Sequence, residues 1–574
     1  MNASTRLGRL VVDELVRHGV RDAVLAPGSR SAPLAMALHA ADAAGRLRLH
    51  VRVDERSAGF VALGLARGSR RPVPVVTTSG SAVANLHPAV LEAHHAGLPV
   101  LVLSADRPAE LRGSGANQTT DQVGLFGAAV RWSVDVPSGA VADSRGDAAV
   151  AAWRAQLSRA VIAATGASSR DPGPVQVNLC FEPPLLPDGE DSTPPGRANG
   201  RPWTTAIEPV ASEPVPLPRG PRTVVIAGAD AEQPARELAE SAGWPLVAEP
   251  TSGARTGPNA LRCGTLLLGH QQWGAAVERV VVAGRPSLSR AVTALLGRAD
   301  VEMVVLCDRA RWNDPGSRAS TVLPAVRVDE PATGADGGWW QAWQEADQKV
   351  ATAVDEVLFG LAAKLPDGEL LGPEVARAVS AAVPPGGMLH VGSSQPLRDL
   401  DLVAVPYPVG GRRFIVGNRG LSGIDGAVST AIGTALGRPS TRSLALVGDL
   451  TFLHDANGLL LGPDEPRPDL TIVVANDDGG SIFATLEPGE PQHTGAFERA
   501  FGTPTGANLA ALCAAYGTPH QQVRDTGELA ARLAEPVTDV RVLQAVVDRA
   551  GRRELSGALR AAAAETLGSV PPVG

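Results

Sequence analysis

The sequence predicts an α/β protein of three consecutive domains, each with a mainly parallel sheet flanked by helices. The chain of 574 residues is too long for one core, because a domain usually holds roughly 100–200 residues. Its hydrophobic content of 44% is ordinary for a globular protein. Short apolar runs alternate with amphipathic helical segments along the whole chain, and this alternation is typical of parallel β-α-β units.

The first block, residues 1–185, opens with an amphipathic helix predicted over 5–18. Strands predicted over 23–27 and 49–54 each lead into a helical segment, "GSRSAPLAMALHAA" after the first and "ERSAGFVALGLARG" after the second. The runs "VPVVTTSG" and "PVLVLSAD" predict two further strands of the same sheet. This block is therefore expected to be a parallel sheet covered by helices.

Residues 186–220 are rich in Pro, Gly and acidic side chains and are predicted to be a linker. A central α/β block follows over 221–355, and a C-terminal α/β block over 356–574. The strands predicted in these two blocks are "TVVIAGA", "RVVVAG", "EMVVLCD", "MLHVGSS", "RFIVGNRG", "SLALVGD", "LTIVVAND" and "VRVLQAVVD".

Charge and cysteine usage exclude several classes of function. A net charge of −8 gives no basic surface for nucleic acid. The four cysteines are far apart with no CxxC pair, which favours reduced thiols and a cytoplasmic protein. The first residues lack a secretory h-region, and no uncharged apolar run approaches the roughly 18 residues of a membrane span.

Two apolar runs of the third block end in residues that bind cations. Gly448-Asp449 follows the first run, and Asn476-Asp477-Asp478 follows the second. Ligands of parallel sheets bind beyond the carboxyl ends of the strands. Carboxylate and amide oxygens suit Mg²⁺, which typically keeps substrate phosphates as further ligands.

The glycines at these strand ends favour the same interpretation. Gly448, Gly479 and Gly480 allow a diphosphate to approach the main chain closely. Gly480-Ser481 is predicted to open a helix whose N-terminal dipole would favour an anion. The alternative is an ordinary pair of strand-to-loop exits, where Asp, Asn and Gly are common.

A GD pair followed at the next strand end by an NN-like pair resembles the motif of thiamin diphosphate-dependent enzymes. Several further stretches resemble the branch of this family that acts in menaquinone biosynthesis, and the resemblance covers both outer blocks. These stretches are "APGSRSAPL", "TSGSAVANLHPAVLEA", "SADRPAEL", "GANQ", "NRGLSGIDGAVSTAIG" and "GDLTFLHDANGLLL".

The resemblance implies a thiamin diphosphate-binding fold and a transferase that uses this cofactor with Mg²⁺ or, alternatively, Mn²⁺. The implied reaction decarboxylates 2-oxoglutarate and adds the succinyl-semialdehyde carbanion equivalent to isochorismate in a 1,4 fashion. Glu55, at a strand-to-helix junction, matches the catalytic glutamate that faces the cofactor's aminopyrimidine ring. Ile424 in "SGID" matches the side chain that props the bent cofactor. The further cofactor-binding positions implied by the motif are Gly448, Asp449, Leu450, Gly479, Gly480, Ser481 and Ile482.

Both implied substrates are dicarboxylates, and Arg offers a bidentate fork for a carboxylate. The resemblance implies that arginines and polar side chains bind these carboxylates, while an apolar wall lies beside the reacting carbons. The matching positions are Ser29, Arg30, Arg107, Gln118, Arg290, Ser394, Arg398, Arg419, Ile482, Phe483 and Leu486.

The metal motif departs from its family, because its second pair reads Asn476-Asp477. The expected metal ligands are Asp449, a side chain of this pair and the carbonyl of Gly479. Counting back from "GGSIF" makes Asp477 the ligand, whereas counting forward from Asp449 makes it Asn476. We favour the backward count, since a strand-to-helix turn preserves register better than the proline-rich loop "GPDEPRP".

Two other functions fit parts of the pattern. Another thiamin-dependent carboligase or decarboxylase, resembling acetohydroxyacid synthase, would share Glu55 and the metal motif and could contain flavin. A catalytically inactive α/β scaffold that binds an anion or a partner is the third possibility. The resemblance also implies a homodimer or homotetramer, with each cofactor between the first block of one chain and the third block of another.

Overall fold

The computed structural model describes residues 2–137, 146–189, 193–329 and 338–572. Three mainly parallel sheets follow one another along the chain, with helices between their strands. The predicted α/β class is therefore confirmed. Among the described residues, no helix combines the length and the apolar character needed to cross a membrane.

The first sheet has six strands in the order β2-β1-β3-β4-β6-β5. Its strands are β1 (Asp22–Leu25), β2 (Arg48–Val51), β3 (Val73–Thr77), β4 (Val100–Asp106), β5 (Ser133–Val136) and β6 (Val175–Cys180). The helices of this block are α1 (Ala3–Arg17), α2 (Ala32–Ala43), α3 (Glu55–Ser69), α4 (Ser81–Ala84), α5 (His87–Ala96) and α6 (Asp147–Thr165). Strands β1, β3 and β4 are buried along their whole length, as expected where helices cover both faces.

The central block holds a five-stranded sheet, in the order β12-β11-β10-β8-β9, and a separate pair of β13 with β7. Its strands are β7 (Val215–Leu217), β8 (Thr223–Ala227), β9 (Leu246–Ala248), β10 (Arg279–Ala283), β11 (Glu302–Leu306), β12 (Thr321–Leu323) and β13 (Val326–Val328). Its helices are α7 (Glu232–Ala242), α8 (Gly264–Gly269), α9 (Gln271–Ala275), α10 (Arg290–Leu296) and α11 (Gly338–Ala362).

The third sheet has six strands in the order β15-β14-β16-β17-β19-β18. Its strands are β14 (Met388–Val391), β15 (Phe414–Val416), β16 (Ser443–Gly448), β17 (Leu470–Asn476), β18 (His520–Val523) and β19 (Val540–Val546). The helices along this part of the chain are α12 (Gly372–Ala381), α13 (Gln395–Val403), α14 (Ala427–Gly437), α15 (Asp449–His454), α16 (Thr494–Phe497), α17 (Leu509–Ala515), α18 (Thr526–Ala534) and α19 (Arg552–Gly568).

The chain forms two compact units that do not follow its order along the sequence. The first unit, called unit 1, comprises residues 1–210, 420–439 and 454–468, and the second, unit 2, comprises 211–419, 440–453 and 469–574. The boundaries that the sequence predicts for three domains stay a prediction.

The segment predicted to be a linker is bonded to the first block over part of its length. Arg154 donates a hydrogen bond of 2.6 Å to the carbonyl of Pro194. The N–H of Trp203 donates to the carboxylate of Glu14 at 2.6 Å. Strand β7 also lies within this segment, and residues 190–192 of it are outside the described residues.

Helices α3 and α14 of unit 1 cross at glycines. A Cβ on Gly64 would lie 2.3 Å from the carbonyl oxygen of Thr430. A Cβ on Gly433 would lie 2.3 Å from the carbonyl oxygen of Val61. Because both neighbours are main-chain atoms of packed helices, neither can move aside alone. The close crossing thus packs α14 tightly against α3, the helix that begins at Glu55.

We expect Gly433→Ala to lower the free energy of unfolding by roughly 1–3 kcal/mol, because the added methyl group overpacks the crossing. The matched control is Gly557→Ala, since Gly557 is an exposed glycine of α19 and a Cβ added there would meet no atom within 4 Å. That change should leave stability equal or slightly higher, as Ala favours helix more than Gly does. Thermal unfolding followed by circular dichroism measures both variants, and equal melting temperatures would contradict the crossing as described.

Candidate active site

Glu55 is the first residue of α3, immediately beyond the carboxyl end of β2. Asp54 caps the helix, since its carboxylate accepts the N–H groups of Arg56 at 2.8 Å and Ser57 at 3.3 Å. The Glu55 side chain is half-buried, and its Oε2 accepts a hydrogen bond of 3.1 Å from the amide of Asn85. The cap and this amide together set the direction of the Glu55 carboxylate.

Two of the predicted arginines follow strands of the same sheet, Arg30 after β1 and Arg107 after β4, with β3 between these two strands. Arg107, just after β4, donates to the carbonyl of Gln118 at 2.9 Å and to the hydroxyl of Ser79. Arg30 donates to the carbonyl of Phe181 at 2.7 Å. Burial lowers the pKa of Arg30, and the positive charge of Arg107 lowers it further. The two guanidinium groups are therefore close enough to repel each other, as expected where a carboxylate binds between cations.

Ser79, which the sequence prediction missed, is hydrogen-bonded to both Arg107 and Gln118. The Ser79 hydroxyl donates to the carbonyl of Gln118 at 2.9 Å, and the side-chain amide of Gln118 donates to the carbonyl of Ser79 at 3.0 Å. Gln118 holds a left-handed backbone with φ of 58°. Ser29, by contrast, is exposed and lies in the loop between β1 and α2. The signal for Ser79 was its place in "TSGS", directly after β3.

Ile424 is half-buried in the loop before α14. Glu92 anchors the start of this loop, because its carboxylate accepts the N–H groups of Gly420 and Leu421, both at 2.7 Å. Glu92 was not predicted as a site residue, since a glutamate inside a helix carries no local signal for this contact. The loop is thus held through its main-chain N–H groups, and the Ile424 side chain takes no part in these contacts.

The strand ends that form the predicted metal site lie side by side, because Gly448 of β16 pairs with Ala475 of β17. Asp449 is 3% exposed, and its Oδ2 is buried without a hydrogen-bond partner among the described residues. Burial, together with the nearby charge of Asp477, raises the pKa of Asp449 to about 8. Burial raises the pKa of Asp477 as well, although the Ser481 hydroxyl opposes this shift. Two adjacent buried carboxyl groups fit a divalent cation, which would replace the proton that holds them together.

The other two polar residues of this turn have different partners. Asn476 accepts the N–H of Asp478 at 3.0 Å through its Oδ1. Asp478, with φ of 47°, accepts the N–H groups of Thr505 and Gly506, both at 2.9 Å. Of the three consecutive side chains, the one whose carboxyl group lies beside Asp449 is therefore Asp477.

Gly479 and Gly480, at the end of this turn, are in close contact with another main-chain segment of the protein. A Cβ on Gly479 would lie 2.3 Å from the carbonyl oxygen of Gly502, and one on Gly480 would lie 2.6 Å from that of Phe501. The N–H of Gly480 donates to Gly502 at 2.7 Å. A Cβ on Gly448 would meet nothing closer than 3.9 Å. The close approach is thus made by residues 501–502, which no pattern in the sequence indicated.

The helix predicted to start at Gly480-Ser481 is a single 3₁₀ turn, Ser481–Thr485. Pro488 and Pro491 follow closely and prevent its extension, because Pro lacks an N–H and clashes with the preceding turn. The expected helix dipole is therefore not present. Ile482, Phe483 and Leu486 are half-buried, and the Phe483 ring lies 5.8 Å from that of Phe501.

The remaining predicted arginines gather within unit 2. Arg419 is 5% exposed and donates to the hydroxyl of Ser287 at 2.7 Å. Arg398, on α13, donates to the carbonyl of Leu288 at 3.1 Å. Burial lowers the pKa of Arg398, and the charge of Arg290 lowers it further. Arg290 of the central block thus lies close to an arginine of the third block.

Ser394 immediately precedes α13 with φ of 86°, a strained conformation for a residue other than glycine. Leu450 is half-buried in the first turn of α15.

The predicted site residues fall into two groups, one in each compact unit. Unit 1 contains Glu55, Ile424, Ser29, Arg30, Arg107 and Gln118, and unit 2 contains Arg290, Ser394, Arg398, Arg419, Gly448, Asp449, Leu450, Asn476, Asp477, Gly479, Gly480, Ser481, Ile482, Phe483 and Leu486.

In the flavin-containing alternative, the central sheet is where a nucleotide cofactor would be expected to bind. A sheet with this strand order binds nucleotides where the order reverses, between β8 and β10. Here Ala229 and Arg285 form an antiparallel bridge at that point. A Cβ on Gly228 would lie 1.9 Å from the nitrogen of Pro286. The loops that follow β8 and β10 therefore contact each other at this point.

Two family descriptions match the chain. Residues 5–125 match the thiamine pyrophosphate enzyme N-terminal TPP binding domain. Residues 403–545 match the thiamine pyrophosphate enzyme C-terminal TPP binding domain. The first match includes Glu55 and both arginines of the first sheet, and the second includes the Asp449 and Asp477 pair.

Three bacterial relatives are similar to the chain over almost its whole length, and each is a 2-succinyl-5-enolpyruvyl-6-hydroxy-3-cyclohexene-1-carboxylate synthase. The protein of Nocardioides sp. is 50% identical over 97% of this chain and 98% of its own length. That of Kineococcus radiotolerans is 51% identical over 98% of this chain and 100% of its own. That of Nocardia farcinica is 48% identical over 98% of this chain and 99% of its own length. With this identity over full length, the chain belongs to the 2-succinyl-5-enolpyruvyl-6-hydroxy-3-cyclohexene-1-carboxylate synthase family of thiamin diphosphate-dependent enzymes.

Proposed function

We propose that this chain uses thiamin diphosphate and Mg²⁺ to decarboxylate 2-oxoglutarate and to transfer the succinyl-semialdehyde unit to isochorismate. The products are 2-succinyl-5-enolpyruvyl-6-hydroxy-3-cyclohexene-1-carboxylate and CO₂, in menaquinone biosynthesis. The observation that carries the proposal is an identity of about half, over the full length, with synthases of this name. The two groups of charged side chains described above support it.

Bound thiamin diphosphate supplies the thiazolium that accepts electrons from the breaking carbon–carbon bond. The chain's part is to hold that cofactor and to share a proton with it. Glu55 is suited to hold a proton at the pyrimidine ring, because Asn85 orients its carboxylate while leaving it half-buried.

Asp449 and Asp477 would hold the metal, with the carbonyl of Gly479 as a third protein ligand. In the described residues no cluster of three or more His, Cys, Asp and Glu side chains could hold a metal ion. This small set is enough for Mg²⁺, which takes its remaining ligands from phosphate and water. Mn²⁺ has the same preference for oxygen ligands.

Both substrates carry two carboxylates, and the chain presents arginines in each unit. Arg30 and Arg107 in unit 1, and Arg290, Arg398 and Arg419 in unit 2, would bind them through paired N–H groups. Within each group, like charges approach closely, as Arg107 does Arg30 and Arg290 does Arg398, which supports a role for these arginines in binding an anion.

Two further features belong to the proposal. The active protein is a homodimer or homotetramer, because in the family each cofactor lies between two chains. The enzyme acts in the cytoplasm, in keeping with four free cysteines.

The decisive experiment incubates the purified chain with thiamin diphosphate, Mg²⁺, 2-oxoglutarate and isochorismate and identifies the product by mass. We expect the succinylated ring product together with one equivalent of CO₂, and neither without the cofactor. Sedimentation of the same preparation measures the size of the active species. Absence of the product would contradict the reaction, and full activity of a monomer would contradict the oligomer.

We expect Glu55→Gln to bind thiamin diphosphate normally while turnover falls by roughly 10²–10⁴-fold, because the amide keeps the shape but cannot share the acidic proton. Steady-state rates and a cofactor titration by tryptophan fluorescence measure the two effects. Glu110→Gln is the matched control, since Glu110 is exposed in a 3₁₀ turn of the same unit and should change neither quantity. Near-normal turnover of the Glu55 variant would exclude the assigned role.

We expect Asp477→Ala to weaken Mg²⁺-dependent cofactor binding far more than Asn476→Ala, because the Asp477 carboxyl group is the one beside Asp449. Calorimetric titration of the cofactor at several Mg²⁺ concentrations compares the variants. Asp478→Ala serves as a third arm, since it removes the acceptor of the Thr505 and Gly506 N–H groups and of the Thr505 hydroxyl. If the Asn476 variant loses more affinity than the Asp477 variant, the register of the metal site is the other one.

A further inference from the structure

Glu249 lies at the end of β9 and is almost completely buried, with 4% of its surface exposed. In the central sheet, β8 separates β9 from β10. The Glu249 side chain spans this strand and reaches the loop that follows β10. There its Oε1 accepts the N–H groups of Ser287 at 2.6 Å and Leu288 at 2.7 Å. One carboxylate oxygen thus fixes two consecutive residues of that loop.

The same two residues accept hydrogen bonds from two candidate substrate arginines. The Ser287 hydroxyl accepts from Nη2 of Arg419 at 2.7 Å, and the Leu288 carbonyl accepts from Nη1 of Arg398 at 3.1 Å. Arg290, the third arginine, begins α10 two residues later. The loop fixed by Glu249 therefore connects all three arginines, although Arg290 belongs to the central block and Arg398 and Arg419 belong to the C-terminal block.

The charges of these groups agree with this arrangement. The positive charge of Arg419 lowers the pKa of Glu249, but burial has the larger effect and the pKa is raised to about 7. Burial and the positive charge of Arg290 lower the pKa of Arg398, while the negative charges of Asp401 and Glu249 oppose this shift. A second nearby carboxylate, Asp401, is bonded to Arg255 at 3.1 Å. The Glu249 carboxyl group thus lies close to Arg419 and Arg398, the two arginines that are bonded to the loop it holds.

A buried carboxylate that accepts two consecutive N–H groups can be purely structural, and unit 2 contains such a case. Asp347 accepts the N–H groups of Arg262 at 3.0 Å and Cys263 at 2.7 Å. The difference is that each residue held by Glu249 is itself bonded to a candidate substrate arginine. Asp347 is consequently a control for the removal of a carboxylate that accepts two consecutive main-chain N–H groups.

We propose that Glu249 is a positioning residue for substrate binding, which holds Ser287 and Leu288 so that Arg419, Arg398 and Arg290 face one carboxylate of a dicarboxylate substrate. The proposal rests on the proposed function, because it takes these arginines as substrate ligands. It adds a buried acidic residue whose role is exerted through the arginines and not on the substrate or cofactor directly.

The test compares Glu249→Ala with Glu249→Gln. The Ala variant loses the acceptor of both N–H groups, and we expect KM for one of the two substrates to rise by roughly tenfold or more, with kcat and thiamin diphosphate affinity little changed. The Gln variant keeps a carbonyl oxygen that can accept both N–H groups, so it should stay close to wild type. Ser287→Ala keeps the N–H groups but removes the acceptor of Arg419, and it should raise KM for the same substrate.

The arginine side of the proposal is tested by a double-mutant cycle. Arg419→Ala should raise KM for the same substrate, and the double variant with Glu249→Ala should raise it by less than the product of the two single effects, because part of the Glu249 effect is exerted through Arg419. Asp347→Ala should lower the melting temperature without changing either KM. Independent, multiplicative effects of Glu249 and Arg419 would overturn the proposal.

Binding of each substrate alone, measured by calorimetry, separates this proposal from the proposed function. If the wild-type chain forms no product, the proposed reaction fails, yet a weaker affinity of Glu249→Ala for one dicarboxylate would still support the positioning role. Equal affinities of wild type and Glu249→Ala for both compounds would overturn it, and so would a Gln variant as impaired as the Ala variant. Should Glu249→Ala fail to fold, an unchanged affinity of Ser287→Ala would be decisive against it.

Discussion

Parallel pairing of the strands is the constraint on which the rest of the structure depends. When neighbouring strands run in the same direction, all their carboxyl ends lie at one edge of the sheet, and the loops that leave them must lie side by side. In the first sheet this places the residues after β2, β1, β3 and β4 next to one another, among them Glu55, Arg30 and Arg107. In the third sheet it places Asp449 beside Asp477. Residues far apart in sequence thus meet without any direct pairing signal between them.

Buried carboxylates provide the second level of organisation. Glu92 holds the loop that carries Ile424, and Glu249 holds the loop to which Arg398 and Arg419 are bonded. In each case the acceptor is a carboxylate and the donors are two consecutive main-chain N–H groups, which stabilise the charged form of a buried acid. Such contacts fix a loop without relying on the loop's own side chains. Those side chains therefore remain available for contacts with arginines or a ligand.

The pair of Asp449 and Asp477 differs from these carboxylates, since its two carboxyl groups are buried beside each other and not beside main-chain N–H donors alone. Burial and mutual repulsion raise the pKa of Asp449 to about 8, so ionising both groups without a cation is unfavourable. Local arrangements that cost stability occur more often at functional sites than elsewhere in a protein. The close main-chain contacts of Gly479 and Gly480 with residues 501–502 hold the turn in place against this repulsion.

The sequence by itself determined the α/β class, the order of helices and strands, and the polar residues at which the strands end. These properties are local, because hydrophobic periodicity and turn-forming residues report on a few neighbouring positions. The helices predicted at 5–18 and 55–68 accordingly lie within a residue or two of α1 and α3. The family resemblance added roles for residues such as Glu55, which periodicity alone could not assign.

Only the tertiary structure decided which side chain of Asn476, Asp477 and Asp478 lies beside Asp449. That outcome depends on the pairing of β16 with β17 and on the hydrogen bonds that Asp478 accepts from residues 505–506. The same holds for Ser79 and Glu249, whose partners lie well away along the chain. No local pattern marks such residues, because their roles arise from contacts that exist only after the sheets have formed.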